Sequence, residues 1–320
     1  MIRAGIIGGA GYTAGELLRI LLNHPEVEIG FVHSSSNAGN RLYEVHEGLY
    51  GDTELCFSGD FDLSSIDVLF LCSAHGKSAE FWAENARPEG LKVIDLAQDF
   101  RDESNGYVYG LPELQRERIR QASLVANPGC FATAIQLALL PLASAGLLKD
   151  EIHITAITGS TGAGVKPGAT THFSWRNCNI SAYKVFNHQH LKEIGRNLKN
   201  LQKDFDKDIN FVPVRGDFAR GIFASVYTSC GLSEEEALGL YRNYYADSAF
   251  CFVSDRDVDL KQVVNTNKCL ISLGKHSDKL VVASVIDNLL KGASGQAVQN
   301  MNLMFGLPEN MGLRLKASAF

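Results

Sequence analysis

The sequence predicts an α/β protein in which a parallel-sheet domain comes first and an α+β domain with a mixed sheet follows. Three observations carry this. The chain has 320 residues, more than one hydrophobic core usually serves, so about two domains are expected. Short apolar runs alternate with helical patterns through the first third of the chain, which is the pattern of a parallel sheet with crossover helices. From about Ile152 the texture changes to β-branched and aromatic strands separated by longer irregular stretches.

Taken in order, Ala4 to Gly8 is an apolar run bounded by glycines, and Leu17, Leu18, Leu21 and Leu22 then fall at helical spacing within Ala14 to Leu22, so strand, turn and helix are expected. Further strands are expected at Glu28 to His33, Val68 to Cys72 and Lys92 to Leu96, with a helix at Ala79 to Ala86. In the second half, Ile152 to Thr158, Phe223 to Ser229 and Lys268 to Gly274 read as strands. The charged stretch Gly195 to Asp208, with Arg196, Lys199, Lys203, Asp204 and Lys207, reads as the solvated face of a helix. The domain boundary is placed at 127/128 on motif position.

Gly9-Ala10-Gly11-Tyr12-Thr13-Ala14 fits G-x-G-x-x-A and stands between the first strand and the first helix. Gly9 permits the tight turn, and Gly11 lets the backbone approach a pyrophosphate at the helix N-terminus, where orphan N–H groups attract anions. The first domain is therefore expected to be of Rossmann type. NAD-preferring domains carry Asp or Glu about 20 residues on, at the end of the second strand. Here that place reads His33-Ser34-Ser35-Ser36-Asn37, without a carboxylate and with Arg41 nearby. This leaves room for a 2′-phosphate and favours NADP, although serine-rich loops also occur without a ligand.

Asn127-Pro128-Gly129-Cys130 precedes the apolar helical pattern Ala134 to Leu142. A cysteine on the first turn of a helix is one whose thiolate the helix dipole favours. The remaining six of the seven cysteines, at 56, 72, 178, 230, 251 and 269, read as small buried hydrophobes. His188 and His190 are the close histidine pair of the chain. No Cys, Asp or further His stands at compatible local spacing, so no metal is expected and general acid/base work is the better reading. Glu193 would orient His190 if a helix begins there.

Composition narrows the partners. The net charge of −6 excludes a broad nucleic-acid footprint, which needs clustered Lys and Arg. No run of about 20 apolar residues supports a membrane span, and Gly-rich AGIIGGAG leads into Glu16 instead of a cleavage site. Scattered cysteines with no CxxC pair suit a reducing cytosol.

GGAGYTAGEL (8–17), DLAQDFR (95–101), YGLPEL (109–114), ANPGCFAT (126–133), GSTGAG (159–164), NHQHLKEI (187–194), ARGIF (219–223) and GQAVQNMNLMFGLPE (295–309) follow one another in this order. The set covers nearly the whole chain and resembles the N-acetyl-gamma-glutamyl-phosphate reductases of arginine biosynthesis. The resemblance implies reduction of an N-acyl-gamma-glutamyl phosphate to the semialdehyde by NADPH, with phosphate released. Cys130 would be the nucleophile that forms a thioester, and His190 before His188 the catalytic histidine. Arg101 and Asn127 would stand near the acyl phosphate. Cofactor contacts would come from the turn holding Gly9, Gly11, Tyr12, Thr13 and Ala14, from Ser34, Ser35 and Ser36, from His75 and Gly76, from the loop with Ser160 and Gly162, and from Asn288. An NADP-binding domain over 1–127 would be completed by a C-terminal helix within about 290–320. A catalytic domain over 128–289 would assemble a homodimer or homotetramer. The chain departs from the family at Ser35, where Arg is common, and at Asn40, where Lys is common.

The chemistry fits these residue types. An acyl phosphate accepts hydride poorly, and a cysteine thiolate that displaces phosphate first splits the reaction into two easier steps. Amides at the start of the Cys130 helix are suited to the tetrahedral oxyanion, and the fork of Arg101 to phosphate oxygens. Arg215 and Arg220 flank a glycine-containing loop and are candidates for a substrate carboxylate or phosphate. Two alternatives remain open: an aspartate-semialdehyde dehydrogenase, which shares the thioester logic but lacks the NHQH and GQAVQNMNLMFGLPE segments, and a dinucleotide-binding sensor without activity.

Overall fold

The computed structural model describes residues 1–318, and Ala319 and Phe320, the end of the expected 290–320 segment, lie outside them. The chain divides into two compact units, one formed by Met1–Pro128 with Ala293–Arg314, the other by Gly129–Gly292 with the segment that starts at Leu315.

The first unit holds a six-stranded sheet of Ile2–Ile7 (β1), Val27–His33 (β2), Val68–Leu71 (β3), Lys92–Asp95 (β4), Val108–Tyr109 (β5) and Leu124–Ala126 (β6). Its order is β2-β1-β3-β4-β6-β5 and every pairing is parallel. All of β3 is buried, as an inner parallel strand requires. Tyr12–Leu21 (α1) turns Ala14, Leu17, Leu18, Ile20 and Leu21 inward. Leu42–Val45 (α2), Lys77–Glu84 (α3) and Pro112–Gln121 (α4) follow in the connections.

In the second unit, Cys130–Ser144 (α5) leads into a seven-stranded sheet: Ile152–Thr158 (β7), Ser181–Ala182 (β8), Ile209–Arg215 (β9), Ile222–Ser229 (β10), Cys251–Val253 (β11), Cys269–His276 (β12) and Lys279–Ile286 (β13). The order β11-β12-β13-β10-β7-β9-β8 mixes parallel and antiparallel pairs. Phe173–Arg176 (α6), His190–Leu201 (α7) and Glu234–Tyr244 (α8) lie between strands. The core of the unit packs α5 against α7, β10 and β13. Burial alternates along β7 and β10, which is the period-2 signature of a sheet covered on one face.

The C-terminal helix, Gly295–Met304 (α9), is shorter than the 290–320 segment expected to contain it; the preceding turn Leu290–Ser294 has π geometry. All ten residues of α9 are buried, four of them Gln or Asn besides Gly295. Three of them donate to fixed acceptors: Asn300 Nδ2 to Gly110 O at 2.9 Å, Asn302 Nδ2 to Met311 O at 2.9 Å, and Gln299 Nε2 to Glu309 at 2.9 Å. A buried amide that keeps its partners costs little, so this helix packs against α1, α4 and β4 despite its polarity.

Candidate functional site

The glycine turn in the first unit is built by close packing on one side and openness on the other. Gly8 has φ +81, and a β-carbon there would meet the backbone of Cys72 and Ser73 at 2.9 Å. At Gly9 it would meet Val32 at 2.5 Å. At Gly11, the N-cap of α1, it would meet nothing nearer than Gly8 O at 3.9 Å. No side chain caps α1 and no acidic residue stands in its first turn. The turn therefore fits an anion, since the helix-start amides of Tyr12, Thr13 and Ala14 receive no cap from Gly11. Ser294 Oγ donates to Thr13 O at 2.7 Å, tying the segment before α9 to this turn.

After β2, Ser34 is buried while Ser35 and Ser36 are exposed. Asn37 Nδ2 donates to Ser34 Oγ at 3.2 Å and to Ser36 Oγ at 3.0 Å, which shapes the turn. Arg41 is held by Glu54, with 3.0 Å between Nη1 and Oε2. His75 and Gly76 form an exposed loop between β3 and α3. Cys72, which precedes it, is unsuited to nucleophilic work, because burial pushes its thiol up to about 12.

Cys130 is the first residue of α5 and is partly exposed, behind Gly129 as an uncapped N-cap with φ −69 and ψ 149. Proline and glycine keep the preceding chain out of helical geometry, so the helix begins at the cysteine. Glu193 Oε2 accepts from the Gly129 N–H at 3.1 Å, and its Oε1 lies 4.0 Å from His190 Nε2. One buried carboxylate thus serves both the backbone before the thiol and the ring beside it. His190 is the first residue of α7. Its ring packs edge to face with Phe131 and stands 4.5 Å from the His188 ring. Gly292 closes the opposite side, where a β-carbon would come 2.8 Å from Cys130 Cβ.

His188 is buried among Phe131, Tyr183 and Phe211. Its Nδ1 accepts the His190 N–H at 3.2 Å. Burial, and then the charges of Lys184 and Arg215, pull its pKa down to about 4, so the ring is neutral across the physiological range. The Arg215 guanidinium stacks on Tyr183 at 4.5 Å, and burial together with Cys130 pushes that phenol up to about 12.

Other expected site residues also carry structural hydrogen bonds. Arg101 is buried and donates to Asn127 O at 2.8 Å and Leu96 O at 3.0 Å. Asn127 donates to Ala293 O at 3.0 Å and accepts from Asn300 at 3.1 Å. The fork of Arg220 is given to Asp287, with both contacts at 3.1 Å, so this guanidinium binds a buried carboxylate where a substrate anion was expected. Asn288 accepts from the Gly221 N–H at 2.7 Å and donates to Thr161 Oγ1 at 3.0 Å, which holds the turn Ser160–Ala163 that contains Gly162. Of the six cysteines read as buried, Cys56 and Cys178 are exposed, because both stand in irregular segments outside either core. In the charged stretch Lys199 is exposed on α7, but that helix ends at Leu201, so Lys203, Asp204 and Lys207 are exposed in the irregular segment after it instead of on the expected helix face. Asp287, Gly292 and Tyr183 escaped the sequence reading. Only Asp287 had a signal, an acid ending an apolar strand.

Residues 3–122 match the model of the NAD binding domain of semialdehyde dehydrogenases, and residues 130–288 match the model of their dimerisation domain. Over 100% of both chains the sequence is 61% identical to the N-acetyl-gamma-glutamyl-phosphate reductase of Phocaeicola vulgatus, and 62% identical to that of Bacteroides thetaiotaomicron. The chain belongs to the N-acetyl-gamma-glutamyl-phosphate reductase family. The fold of this reductase family member is shared with aspartate semialdehyde dehydrogenase II of Vibrio cholerae, solved in complex with ASA, at a TM-score of 0.73 and 18% identity over 96% of this chain and 98% of that one. It is shared equally with aspartate semialdehyde dehydrogenase of Candida albicans, solved with NADP, at 0.73 and 13% identity over 97% and 99%. Among the described residues no reductase helix is long and apolar enough to cross a membrane.

Proposed function

We propose that this chain reduces an N-acyl-gamma-glutamyl phosphate to the N-acyl-glutamate semialdehyde, releasing phosphate, with NADP as its cofactor and Cys130 as its nucleophile. The observation that carries the reading is the cluster of Cys130, His190 and Glu193 at the start of α5. A thiol at a helix start beside an oriented imidazole is what covalent acyl transfer requires. In acylation the sulfur bonds to the acyl carbon and the C–O bond to phosphate breaks, while the thiol proton passes through His190 to the departing phosphate. The chemistry that a bound nicotinamide supplies is hydride donation. In product release the carbon–sulfur bond breaks with its electron pair leaving on sulfur, and His190, recharged with a proton from solvent, supplies the proton that restores the Cys130 thiol. Glu193 holds the ring in line through both steps.

The open Gly11 turn suits the pyrophosphate, and the absence of a carboxylate at Ser34, Ser35 and Ser36 supports NADP over NAD. The first unit would be the NADP-binding domain and the second the catalytic and assembly domain. Arg101, Asn127 and Arg215 are proposed for the substrate's anionic groups. Assembly as a homo-oligomer is supported by the one-sided burial of the seven-stranded sheet and by the dimerisation family model. A cytosolic setting suits seven unbridged thiols.

The test is the oxidative reaction with NADP, phosphate and N-acetylglutamate semialdehyde, with aspartate semialdehyde as the competing substrate. Turnover of the acyl-glutamate compound, abolished in Cys130→Ser, is expected. Preference for aspartate semialdehyde, or more than a tenth of the rate in Cys130→Ser, defeats the reading.

A further inference from the structure

We infer that Asp99 is a positioning residue that sets the cofactor loop Ala74–Gly76 by capping α3 from the neighbouring strand's loop. The inference rests on the proposed role of that loop and goes beyond it, since Asp99 has no part in the site described so far.

Two segments leave the C-terminal ends of adjacent parallel strands: residues 72–76 after β3 and residues 96–101 after β4. Ligands of parallel α/β sheets bind at this end. The helix that follows the first segment has no cap of its own, because its N-cap is Gly76, left-handed with φ +85 and without a side chain. Its orphan amides are met from across the gap. Asp99 Oδ2 accepts the Gly76 N–H at 2.8 Å, and Oδ1 accepts the Ala79 N–H at 3.3 Å. The link also runs the other way, for the Gln98 N–H donates to His75 Nδ1 at 3.2 Å. That bond leaves the His75 proton on Nε2 whenever the ring is neutral. Ser78 Oγ donates to Asp95 Oδ1 at 2.8 Å as a fourth tie.

The arrangement fixes both the backbone and the ring tautomer of the cofactor loop. A carboxylate is favoured here twice over, by hydrogen bonds and by the helix dipole. Without it, the Gly76 and Ala79 amides lose the carboxylate that ties them to the loop after β4, and the cofactor loop must be ordered at the expense of cofactor binding.

The test compares wild type with Asp99→Ala, Asp99→Asn and Asp99→Glu. An N-cap side chain contributes enough that its loss should raise the Kd for NADP, read by titration of intrinsic fluorescence, roughly 3- to 30-fold in Asp99→Ala. Asp99→Asn should fall between and Asp99→Glu should recover part of the loss. Amide exchange at Gly76 and Ala79 should accelerate without any cofactor present, while the KM for the acyl phosphate stays near the wild-type value. A Kd that is unchanged in Asp99→Ala, or unchanged exchange at those amides, overturns the inference. Wild-type protein that binds no NADP overturns the functional reading beneath it, and the exchange measurement tells the two failures apart.

Discussion

The His190 ring lies on the backbone of Gly129, so close that a β-carbon there would come within 2.3 Å of Nε2. The glycine before the nucleophile is therefore set by the histidine as much as by the turn. Its φ of −69 is open to any residue, so its need for glycine comes from close approach alone. Gly129→Ala should fold, because the backbone is unstrained, yet it must push the imidazole away from Cys130. We expect kcat to fall by roughly the 10²- to 10⁴-fold attributed to general acid/base catalysis. Steady-state rates with thermal melts as a folding control check this, and a variant with wild-type kcat would show that His190 does not act where it stands.

His188 should be silent in the neutral pH range. With its folded pKa near 4 against an ordinary value of 6.5, the unfolded chain binds the proton first. The stability this group contributes is present above pH 6.5 and is lost as pH falls through 4, by about 3 kcal/mol at most. A neutral-range group in the kcat profile must then be another residue. His188→Gln keeps an acceptor for the His190 N–H and should preserve the profile, whereas His188→Phe should lower kcat. A profile whose neutral limb vanishes in His188→Gln reverses the assignment.

What was legible in the sequence was what is local. The Gly9–Ala14 turn, the cysteine after Pro128-Gly129 and the His188/His190 pair each announce themselves within a few residues, because turn geometry and helix starts are set by near neighbours. The strands at Ile152–Thr158 and Phe223–Ser229 were legible through their β-branched and aromatic residues. Partners far apart were not. Arg220 offered a cation beside a glycine loop, but its fork is taken by Asp287, 67 residues away, and nothing local to Arg220 encodes that. The sealing of Cys130 by Gly292 likewise depends on the π turn that precedes α9, and no periodicity predicts such a turn.

Cofactor preference should respond to Glu54. Arg41 is the cation proposed to meet a 2′-phosphate, and it is paired to Glu54 in the open, with side-chain exposures of 42% and 75%. Exposed pairs of this kind are worth about 0.2–1 kcal/mol. Glu54→Gln takes the carboxylate off the guanidinium, which keeps its bond to the backbone oxygen of residue 54, and removes a negative charge near the turn, so the ratio of kcat/KM for NADP over NAD should rise by about two- to fivefold. A ratio that does not move would mean that Arg41 makes no contact with the phosphate and that Ser34, Ser35 and Ser36 carry the preference.

Asp95 should make the first unit less stable as pH rises through the mildly acid range. Burial, foremost, and then the nearby charge of Asp99 raise its pKa from 3.8 to about 6, against the hydrogen bonds from the Ala97 N–H and Ser78 and the charge of Arg101. Its Oδ2 is buried without a hydrogen-bond partner, which suits a carboxyl that keeps its proton. Between about pH 4 and pH 6 the native state holds a proton that the unfolded chain has released, so stability is highest below pH 4 and falls as pH rises to 6. The shift of about 2 units corresponds to about 3 kcal/mol. His188 acts with the opposite sign over an overlapping window, so the wild-type curve alone mixes the two. Asp95→Asn isolates the first: the amide oxygen can still accept from Ser78 and Ala97, and no charge forms on raising the pH. Urea midpoints of wild type and variant from pH 4 to pH 8 should diverge, with Asp95→Asn gaining relative to wild type by pH 7. Parallel curves would mean that Asp95 is ionised in the native state throughout and that its burial is offset by partners.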